Sequence, residues 1–249
     1  MIGILCATPE EVAAVRARLD LAPAARTHGP TQVWTGRHGA SDIVLGQAGI
    51  GKVNAAAAAT LLLGVFGARI LIFSGVAGGL DPELPVGSVL LADRLAIHDY
   101  GIIAGGEFTP TASGLIPVGA PRLTALSPVS AGVAEILASL ARTLRDRIDA
   151  PVRLGGIVTA DYFLNCGPTR ETLRRDFGAD AIDMESGAVS QVAEAWGAPL
   201  YVIRTVSDLA GEESHLTYPQ MAGMAARNSA LAVVELLAIL ADSGTPTTA

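Results

Sequence analysis

The chain has 249 residues; half are hydrophobic and 16% are charged, and the 24 acidic and 17 basic residues give a formal net charge of −7. The absence of a basic stripe argues against a nucleic-acid partner, and no uninterrupted apolar run reaches the roughly 18 residues of a membrane span. Two isolated cysteines and a start without signal-peptide features favour a cytoplasmic location, and no cysteine–histidine cluster predicts a metal site.

The chain begins with an apolar run that predicts a buried strand over residues 2–7. The next residues have the pattern of a helix start, in which Thr8 caps the helix, Pro9 takes its first position and Glu11 completes a capping box. A helix is therefore expected through about residue 19. At this point Glu11 has a purely structural interpretation.

The rest of the chain continues to alternate strands with helices. Further strands are predicted at residues 32–36, 42–47, 69–74, 86–97, 152–159, 179–183 and 200–206, the first two forming a hairpin. Further helices are predicted at residues 53–66, 128–147, 168–177, 185–196 and 217–241. Loops are expected at the glycine-rich segment 75–79 and at residues 98–121, and a polar tail at residues 242–249. This alternation predicts one α/β domain over residues 1–241, with a mainly parallel or mixed sheet covered by helices on both faces.

Polar residues that follow strands directly are candidates for chemistry, because ligands of open α/β sheets bind at the carboxyl ends of the strands. Glu11, Glu185, Asp208 and the glycine-rich segment 75–79 occupy such positions. Each acid also has a structural alternative: Glu11 fits the capping box, Glu185 complements a helix N-terminus, and Asp208 suits an N-cap. The residues alone leave these alternatives open.

Several motifs, in order along the chain, resemble the nucleoside phosphorylase/hydrolase superfamily, and in particular its 5′-methylthioadenosine/S-adenosylhomocysteine nucleosidases. The motifs are IGILCATPEEV (2–12), GIGKVNAA (49–56), SGVAGGLDPELPVGSVLLAD (74–93), His98-Asp99, GIVTADYFLN (156–165), AIDMESGAV (181–189), VIRTVSDLAG (202–211) and SHLTY (214–218). The resemblance implies a three-layer α/β/α sandwich around a mixed, partly closed β-sheet. It also implies a homodimer that acts on a small-molecule nucleoside without a metal or organic cofactor.

The resemblance further implies a role for each matching residue. Glu11 would orient and deprotonate the attacking water. Met184 and Glu185 would hold the ribose, Glu185 by accepting from its hydroxyls, and Asp208 would act at purine N7 as proton donor or as hydrogen-bond partner. Phe163 would stack on the base, and the backbone of Leu164 would read the edge of the base. The other residues expected to line the site are Ile50, Val76, Ala77, Arg204 and Ser207.

The chemistry of glycosidic cleavage suits three separate acids. Breaking the bond leaves an oxocarbenium-like sugar and a purine anion, so the acid at N7 must hold a proton near neutral pH, which burial against apolar walls favours. Water that attacks the other side of the sugar needs its own base. A carboxylate at the ribose stabilises the positive charge that grows on the sugar.

The same residues favour hydrolysis over phosphorolysis. A phosphorylase holds phosphate with arginines and loop amides, whereas an acid such as Glu11 repels phosphate, and Arg204 is the only arginine in the motifs placed at the site. We therefore predict that the chain hydrolyses the N-glycosidic bond of 5′-methylthioadenosine or S-adenosylhomocysteine and releases adenine. Three alternatives remain. The chain could hydrolyse another 5′-modified nucleoside such as futalosine, since residues 100–121 and Val76 depart from the family pattern. It could instead be a purine nucleoside phosphorylase or a non-catalytic nucleoside-binding protein.

Overall fold

A computed structural model describes residues 1–243, and a mixed sheet of eleven strands lies at its centre. The strands of the molecule are β1 (Ile2–Cys6), β2 (Asp20–Leu21), β3 (Arg26–His28), β4 (Thr31–His38), β5 (Ser41–Gln47), β6 (Ile70–Gly79), β7 (Val89–Ile97), β8 (Gly101–Ala104), β9 (Glu107–Pro110), β10 (Ser127–Pro128), β11 (Val152–Thr159), β12 (Ala181–Asp183) and β13 (Leu200–Asp208). Strands β8 and β9 form a separate hairpin, and the other eleven form the central sheet.

Helices cover both faces of this sheet. They are α1 (Pro9–Arg16), α2 (Lys52–Gly64), α3 (Ala131–Leu144), α4 (Gly167–Phe177), α5 (Ser186–Ala195) and α6 (Ser214–Asp242). Helices α1, α3 and α6 bury apolar side chains in one core, and α2 and α5 bury theirs in a second. Along β6, Ile70 and Ile72 belong to the first core while Leu71 and Phe73 belong to the second, as the two-residue period of a strand requires. The predicted three-layer sandwich is confirmed.

The sheet is also partly closed, as predicted. Strand β13 pairs in parallel with β6 and antiparallel with β7. The path β6–β12–β11–β7 joins the same two strands from the other side. These five strands therefore form a closed ring, and the remaining strands extend from it as an open sheet.

The strand directions bring three predicted site segments to one edge. Strand β1 runs parallel to β6, and β6 runs parallel to β13, so their carboxyl ends lie together. The short strand β12 runs antiparallel to β6 and places Ile182 opposite Gly78. The segments that follow β1, β12 and β13 thus meet around the last residues of β6.

Two predicted loops are wrong in part. Residues 75–79 continue β6, because their backbone groups pair with β13 on one side and β12 on the other. The segment 98–121 contains the hairpin β8–β9. The helix expected from residue 128 begins at Ala131 with Ser130 as its cap, since residues 127–128 pair with β7 instead.

The C-terminal helix α6 is the one described helix whose length and hydropathy would suit a membrane span. Half of its apolar window is buried in the molecule, and residues such as Val233 and Leu236 are fully buried in the first core. This burial is typical of a core helix. The tail predicted at 242–249 begins with the last residue of α6, and residues 244–249 lie outside the described part of the chain.

Candidate active site

A cavity of about 330 Å³ opens where β1, β6 and β13 end. The residues that line it are Ala7, Thr8, Glu11, Ile50, Val76, Ala77, Gly78, Phe163, Ile182, Asp183, Met184, Glu185, Ser207, Asp208 and Tyr218. The structure therefore brings Glu11, Glu185 and Asp208 together, as the sequence predicts. Ile50, Val76, Ala77, Phe163, Met184 and Ser207 are likewise on its wall.

Glu11 caps helix α1 and lines the cavity at the same time. Thr8 Oγ1 accepts a hydrogen bond from the Glu11 amide at 3.3 Å, and Glu11 Oε2 accepts one from the Thr8 amide at 3.0 Å, which completes the predicted capping box. Glu11 Oε2 also accepts from the Ala7 amide at 2.8 Å, and Oε1 accepts from the Val76 amide at 3.0 Å. Three backbone amides thus fix the carboxylate, so the structural interpretation is correct and does not exclude the chemical one.

Glu185 lies at the N-terminus of helix α5, where its charge complements the helix as its structural alternative expects. The residue stands at the N-cap position but its side chain makes no cap hydrogen bond. Its Oε1 instead accepts from the Gly51 amide at 3.0 Å, and its Oε2 lies 3.3 Å from Arg204 Nη2. Gly51 adopts a φ of 96°, which favours glycine and aims its amide at this carboxylate.

The side chain of Asp183 accepts hydrogen bonds from the backbone at the start of α5. Its carboxylate accepts hydrogen bonds from the amides of Glu185 and Ser186, from the hydroxyl of Thr159 and from Arg204 Nε. The cavity wall includes Asp183, but its oxygens are occupied by these partners. Asp183 was not among the predicted site residues, although it precedes Met184 and Glu185 in the same motif.

Asp208 is held by a turn rather than by a helix. Its Oδ2 accepts from the Ser207 hydroxyl and its Oδ1 from the Ala210 amide, both at 2.9 Å. The cap position of α6 belongs to Glu213, so the N-cap alternative for Asp208 is wrong. Asp208 is buried, and Ala210 adopts a φ of 51° that directs its amide back to the carboxylate.

Arg204 and Leu164 are the two predicted site residues that are absent from the cavity wall. Arg204 lies behind the acids, where its guanidinium contacts Asp183 at 2.8 Å and stacks on the Phe73 ring at 4.1 Å. Its Nη1 makes no hydrogen bond within the described residues and lies beside Gly75. A Cβ at position 75 would overlap both this nitrogen and Glu11 Oε1. Leu164 lines a small adjoining pocket with Tyr162 and Phe163.

Tyr218 is a cavity residue that the sequence interpretation missed. It lies near the start of α6, and its ring meets that of Phe163 edge to face at a centroid distance of 5.8 Å. Phe163 is half exposed at the cavity mouth. The SHLTY motif contained the signal, and helix α6, which was expected to begin at 217, begins at Ser214.

Burial changes the protonation of two of the acids. It raises the pKa of Glu185 to about 7, and Arg204 opposes this rise while Asp183 and Glu11 add to it. Burial also raises the pKa of Glu11, against the opposing effects of Arg204 and of the amides of Thr8, Val76 and Ala7. A carboxyl that titrates near neutral pH can act as a base under physiological conditions.

The charge of the cavity is negative within the described residues. Four carboxyl groups and no lysine, arginine or histidine lie on its wall. Residues 1–243 contain no group of three or more His, Cys, Asp and Glu side chains arranged to hold a metal ion. The wall therefore suits a neutral or cationic ligand and disfavours an anion.

Comparison with known proteins agrees with this geometry. The chain matches the phosphorylase superfamily over residues 1–238. It is 36% identical to a 5′-methylthioadenosine/S-adenosylhomocysteine nucleosidase of Mycobacterium bovis, with 96% of this chain and 97% of that protein covered.

Two solved structures share the fold. A futalosine hydrolase of Helicobacter pylori superimposes with a TM-score of 0.83 at 26% identity, covering 95% of this chain and 97% of the other. A 5′-methylthioadenosine/S-adenosylhomocysteine nucleosidase from Neisseria meningitidis, in complex with methylthio-immucillin-A, gives a TM-score of 0.82 at 30% identity with the same coverage.

Proposed function

The chain belongs to the phosphorylase superfamily, and from this premise we propose that it hydrolyses the N-glycosidic bond of 5′-methylthioadenosine or S-adenosylhomocysteine. The observation that carries the proposal is the convergence of Glu11, Glu185 and Asp208 on one cavity from three separate parts of the chain. The nucleosidase relatives, similar over nearly their whole length, support it.

In this proposal each acid has a different task. Glu11 takes a proton from the attacking water, and the three amides that hold its carboxylate fix the direction of attack. Glu185 binds the ribose hydroxyls and stabilises the positive charge that develops on the sugar. Asp208 interacts with N7, either as proton donor or as hydrogen-bond partner, so that the purine leaves more readily.

The walls of the cavity supply the rest of the binding. Phe163 offers an aromatic face to the base, and Tyr218 supports that ring from its edge. Met184, Ile50 and Val76 give apolar surface on the cavity wall. We further propose that Leu164 reads the base through its backbone, and that Arg204 acts from behind by holding Asp183 and Glu185.

Water is favoured over phosphate as the nucleophile. The cavity wall carries four carboxyl groups and no cation among the described residues, so a phosphate beside Glu11 would meet repulsion. Arg204 is fully buried behind Asp183 and Glu185, and it does not offer its charge to the cavity.

Product analysis without phosphate tests the proposal. The purified chain is incubated with methylthioadenosine in phosphate-free buffer, and adenine and the free sugar are measured. Release of both supports the proposal. Strict dependence on phosphate with a sugar phosphate as product would establish a phosphorylase instead, and tight adenine binding without turnover of any nucleoside would establish a binding protein.

Futalosine is the second candidate substrate. The futalosine hydrolase of Helicobacter pylori shares the fold at 26% identity, and residues 100–121 depart from the pattern of the methylthioadenosine enzymes. The same assay with futalosine decides between them, because the substrate with the higher kcat/KM is the one that the cavity selects.

We also propose that the protein acts as a cytoplasmic homodimer, with residues 1–241 as a single domain. A groove of about 890 Å³ runs between α2, α5 and residues 113–117. Its rim exposes apolar side chains, with Val53 and Ile116 each 80% and Trp196 52% exposed, as an interaction surface does. A molecular mass of twice the monomer mass, measured by analytical ultracentrifugation, would support the dimer. The monomer mass at the protein concentration of the assay would contradict it.

A further inference from the structure

Lys52 is the only lysine in the chain, which otherwise carries sixteen arginines. It is the first residue of α2 and directly follows Gly51, whose amide holds the carboxylate of Glu185. Lys52, Asp99 and Asp161 are all absent from the cavity wall. The single lysine ammonium of the chain thus lies one residue from a group that fixes the proposed ribose acid.

Three segments are tied together around this lysine. Lys52 Nζ lies 2.5 Å from Asp99 Oδ1 and 3.5 Å from Asp161 Oδ2. The backbone amide of Lys52 donates to Asp161 Oδ1 at 2.8 Å, and the amide of Asp161 donates to Asp99 Oδ2 at 2.9 Å. Each of the three residues contacts the other two, so the start of α2 and the segments that follow β7 and β11 are closed into one ring of contacts.

Each connected segment carries or neighbours a part of the proposed site. The start of α2 supplies the Gly51 amide to Glu185. Asp161 is two residues before Phe163, the proposed stacking partner of the base. The hydroxyl of Tyr162, which lies between them in the chain, is 2.8 Å from Nε2 of His98, the residue before Asp99. A shift of any one segment would therefore change the place of the ribose acid relative to the base.

We propose that Lys52, Asp99 and Asp161 form a clasp that positions Glu185 and Phe163 relative to each other. The three are positioning residues that act through the Gly51 amide and through the loop at 160–165. This inference rests on the proposed function only in the roles given to Glu185 and Phe163. The contacts of the clasp stand independently of any substrate.

The choice of lysine has a physical reason. An ammonium is a compact charge with three donors, whereas a guanidinium is planar and presents its donors in a rigid fork. In the clasp, carboxylate oxygens approach the cation from two separate residues, which suits the smaller group. The side chains of Lys52 and Asp99 are each only 21% exposed, so water screens their pair less than it screens a surface pair.

The first test follows Glu185 directly and needs no substrate. The chemical shifts of the carboxyl carbons of ¹³C-labelled glutamate are measured by NMR against pH in the wild-type chain and in Lys52→Met. The signal of Glu185 is the one that is missing from the spectrum of Glu185→Gln. The groups that face Glu185 are Arg204, Asp183, Glu11 and Tyr218, and all of them remain in Lys52→Met. Because the Gly51 amide lowers the pKa of Glu185, a loosened clasp moves the titration midpoint above the wild-type value.

The second test measures cleavage. Lys52→Met should lower kcat/KM about tenfold or more, because a displacement of about 1 Å in a site can cost up to about 10²-fold, and it should move the acid limb of the pH profile to higher pH. Lys52→Arg keeps the charge and should restore part of both losses. Arg37→Met removes a cation from the exposed pair with Asp42 on the β4–β5 hairpin and serves as the matched control with wild-type values.

The outcomes separate the clasp from simple stabilisation. A Lys52→Met protein that is only less stable, with the wild-type Glu185 midpoint and the wild-type kcat/KM, would overturn the inference. If Lys52→Met does not fold, Asp161→Asn keeps the side-chain shape and repeats both measurements. If the wild-type chain cleaves no nucleoside, the proposed function fails, and the Glu185 titration still decides for or against the clasp.

Discussion

Two clusters of buried acids lie in this molecule, and their charges are balanced in opposite ways. The buttress cluster joins two buried aspartates to three arginines that are each at least one-third exposed; its members are Asp81, Asp180, Arg94, Arg153 and Arg174. The cavity cluster has one fully buried arginine against three buried carboxyl groups; its members are Arg204, Asp183, Glu185 and Glu11. Arg94 and Arg153 also pair with the more exposed acids Asp93 and Glu83. When only buried acids are counted, the first cluster has more cations than acids, and the second has more acids than cations.

The difference fits a structural role for the buttress cluster and the proposed chemical role for the cavity cluster. In the buttress cluster Asp180 accepts from Arg174 at 2.7 Å and from the Gly156 amide at 2.7 Å, and Asp81 pairs with both Arg153 and Arg174. These arginines keep part of their surface in water. In the cavity cluster one cation cannot neutralise three acids, and burial raises the pKa of Glu185 and of Glu11. Unbalanced buried acids beside a cavity mark a functional site.

The largest expected effect compares one acid from the cavity with one from the buttress cluster. Asp208→Asn should lower kcat by about 10²–10⁴-fold, the range for a lost proton-transfer group, with little change in stability. Asp180→Asn should leave kcat intact and cost about 1–3 kcal/mol of stability, because three arginines lose the charge of their buried partner, whereas the partners of Asp208 are neutral. Adenine release and urea unfolding measure the two quantities. Full activity in Asp208→Asn would remove Asp208 from the proposed mechanism.

The next comparison removes a cation from each cluster. Arg204→Met leaves the buried acids Asp183 and Glu185 without a cation, and breaking such a buried ion pair costs about 3–5 kcal/mol. Arg174→Met should cost about 1 kcal/mol, because Asp81 and Asp180 retain Arg153 and the arginine is partly exposed. Urea unfolding of both variants at pH 8 measures the contrast. Equal losses would show that the two clusters stabilise the fold alike.

A third comparison uses the pH dependence of stability. Glu185 has a pKa of about 7 in the fold against an ordinary value of 4.5, so its contribution is fully present below pH 4.5 and is lost as the pH rises through 7. Glu185→Gln should therefore reduce the loss of unfolding free energy between pH 4.5 and pH 7 by about 3 kcal/mol at most. Unfolding free energies at pH 4.5, 6 and 8 measure it. Glu194→Gln, exposed on α5, is the control and should keep the wild-type slope.

Much of the fold could be predicted because it depends on local patterns. Three of its features each depend on a few neighbouring residues: the apolar run before Thr8, the capping box of Glu11 and the hairpin β4–β5. The continuation of β6 through residues 75–79 could not be predicted, since it depends on pairing with β12 and β13 far along the chain. Glycine there indicates a turn locally, but Gly75 is needed where Arg204 and Glu11 approach the backbone.

The candidate site divides in the same way. Glu11, Glu185 and Asp208 follow strands and belong to ordered motifs, so their convergence could be predicted. The position of Arg204 behind the acids depends on which face of β13 it occupies within a closed ring of strands, and the motif carries no such information. Tyr218 lines the cavity from near the start of α6, which begins three residues before the predicted position.

The smallest expected effect comes from a neutral contact beside both the clasp and the cavity. The Tyr162 hydroxyl lies 2.8 Å from His98 Nε2. Burial raises the pKa of Tyr162 to about 12 and lowers the pKa of His98, so the pair is uncharged at neutral pH. Tyr162→Phe removes one neutral hydrogen bond, worth about 1 kcal/mol.

Since Tyr162 precedes Phe163, this loss should raise the KM for nucleoside by no more than about fivefold, the equivalent of 1 kcal/mol, and leave kcat unchanged. Initial rates over a range of methylthioadenosine concentrations separate the two constants. Thr143→Val removes a neutral hydroxyl contact to the Ser139 carbonyl on α3, away from the cavity wall, and is the control. A fall in kcat in Tyr162→Phe alone would mean that neutral contacts, and not only the excess of buried acids, contribute to the chemical step.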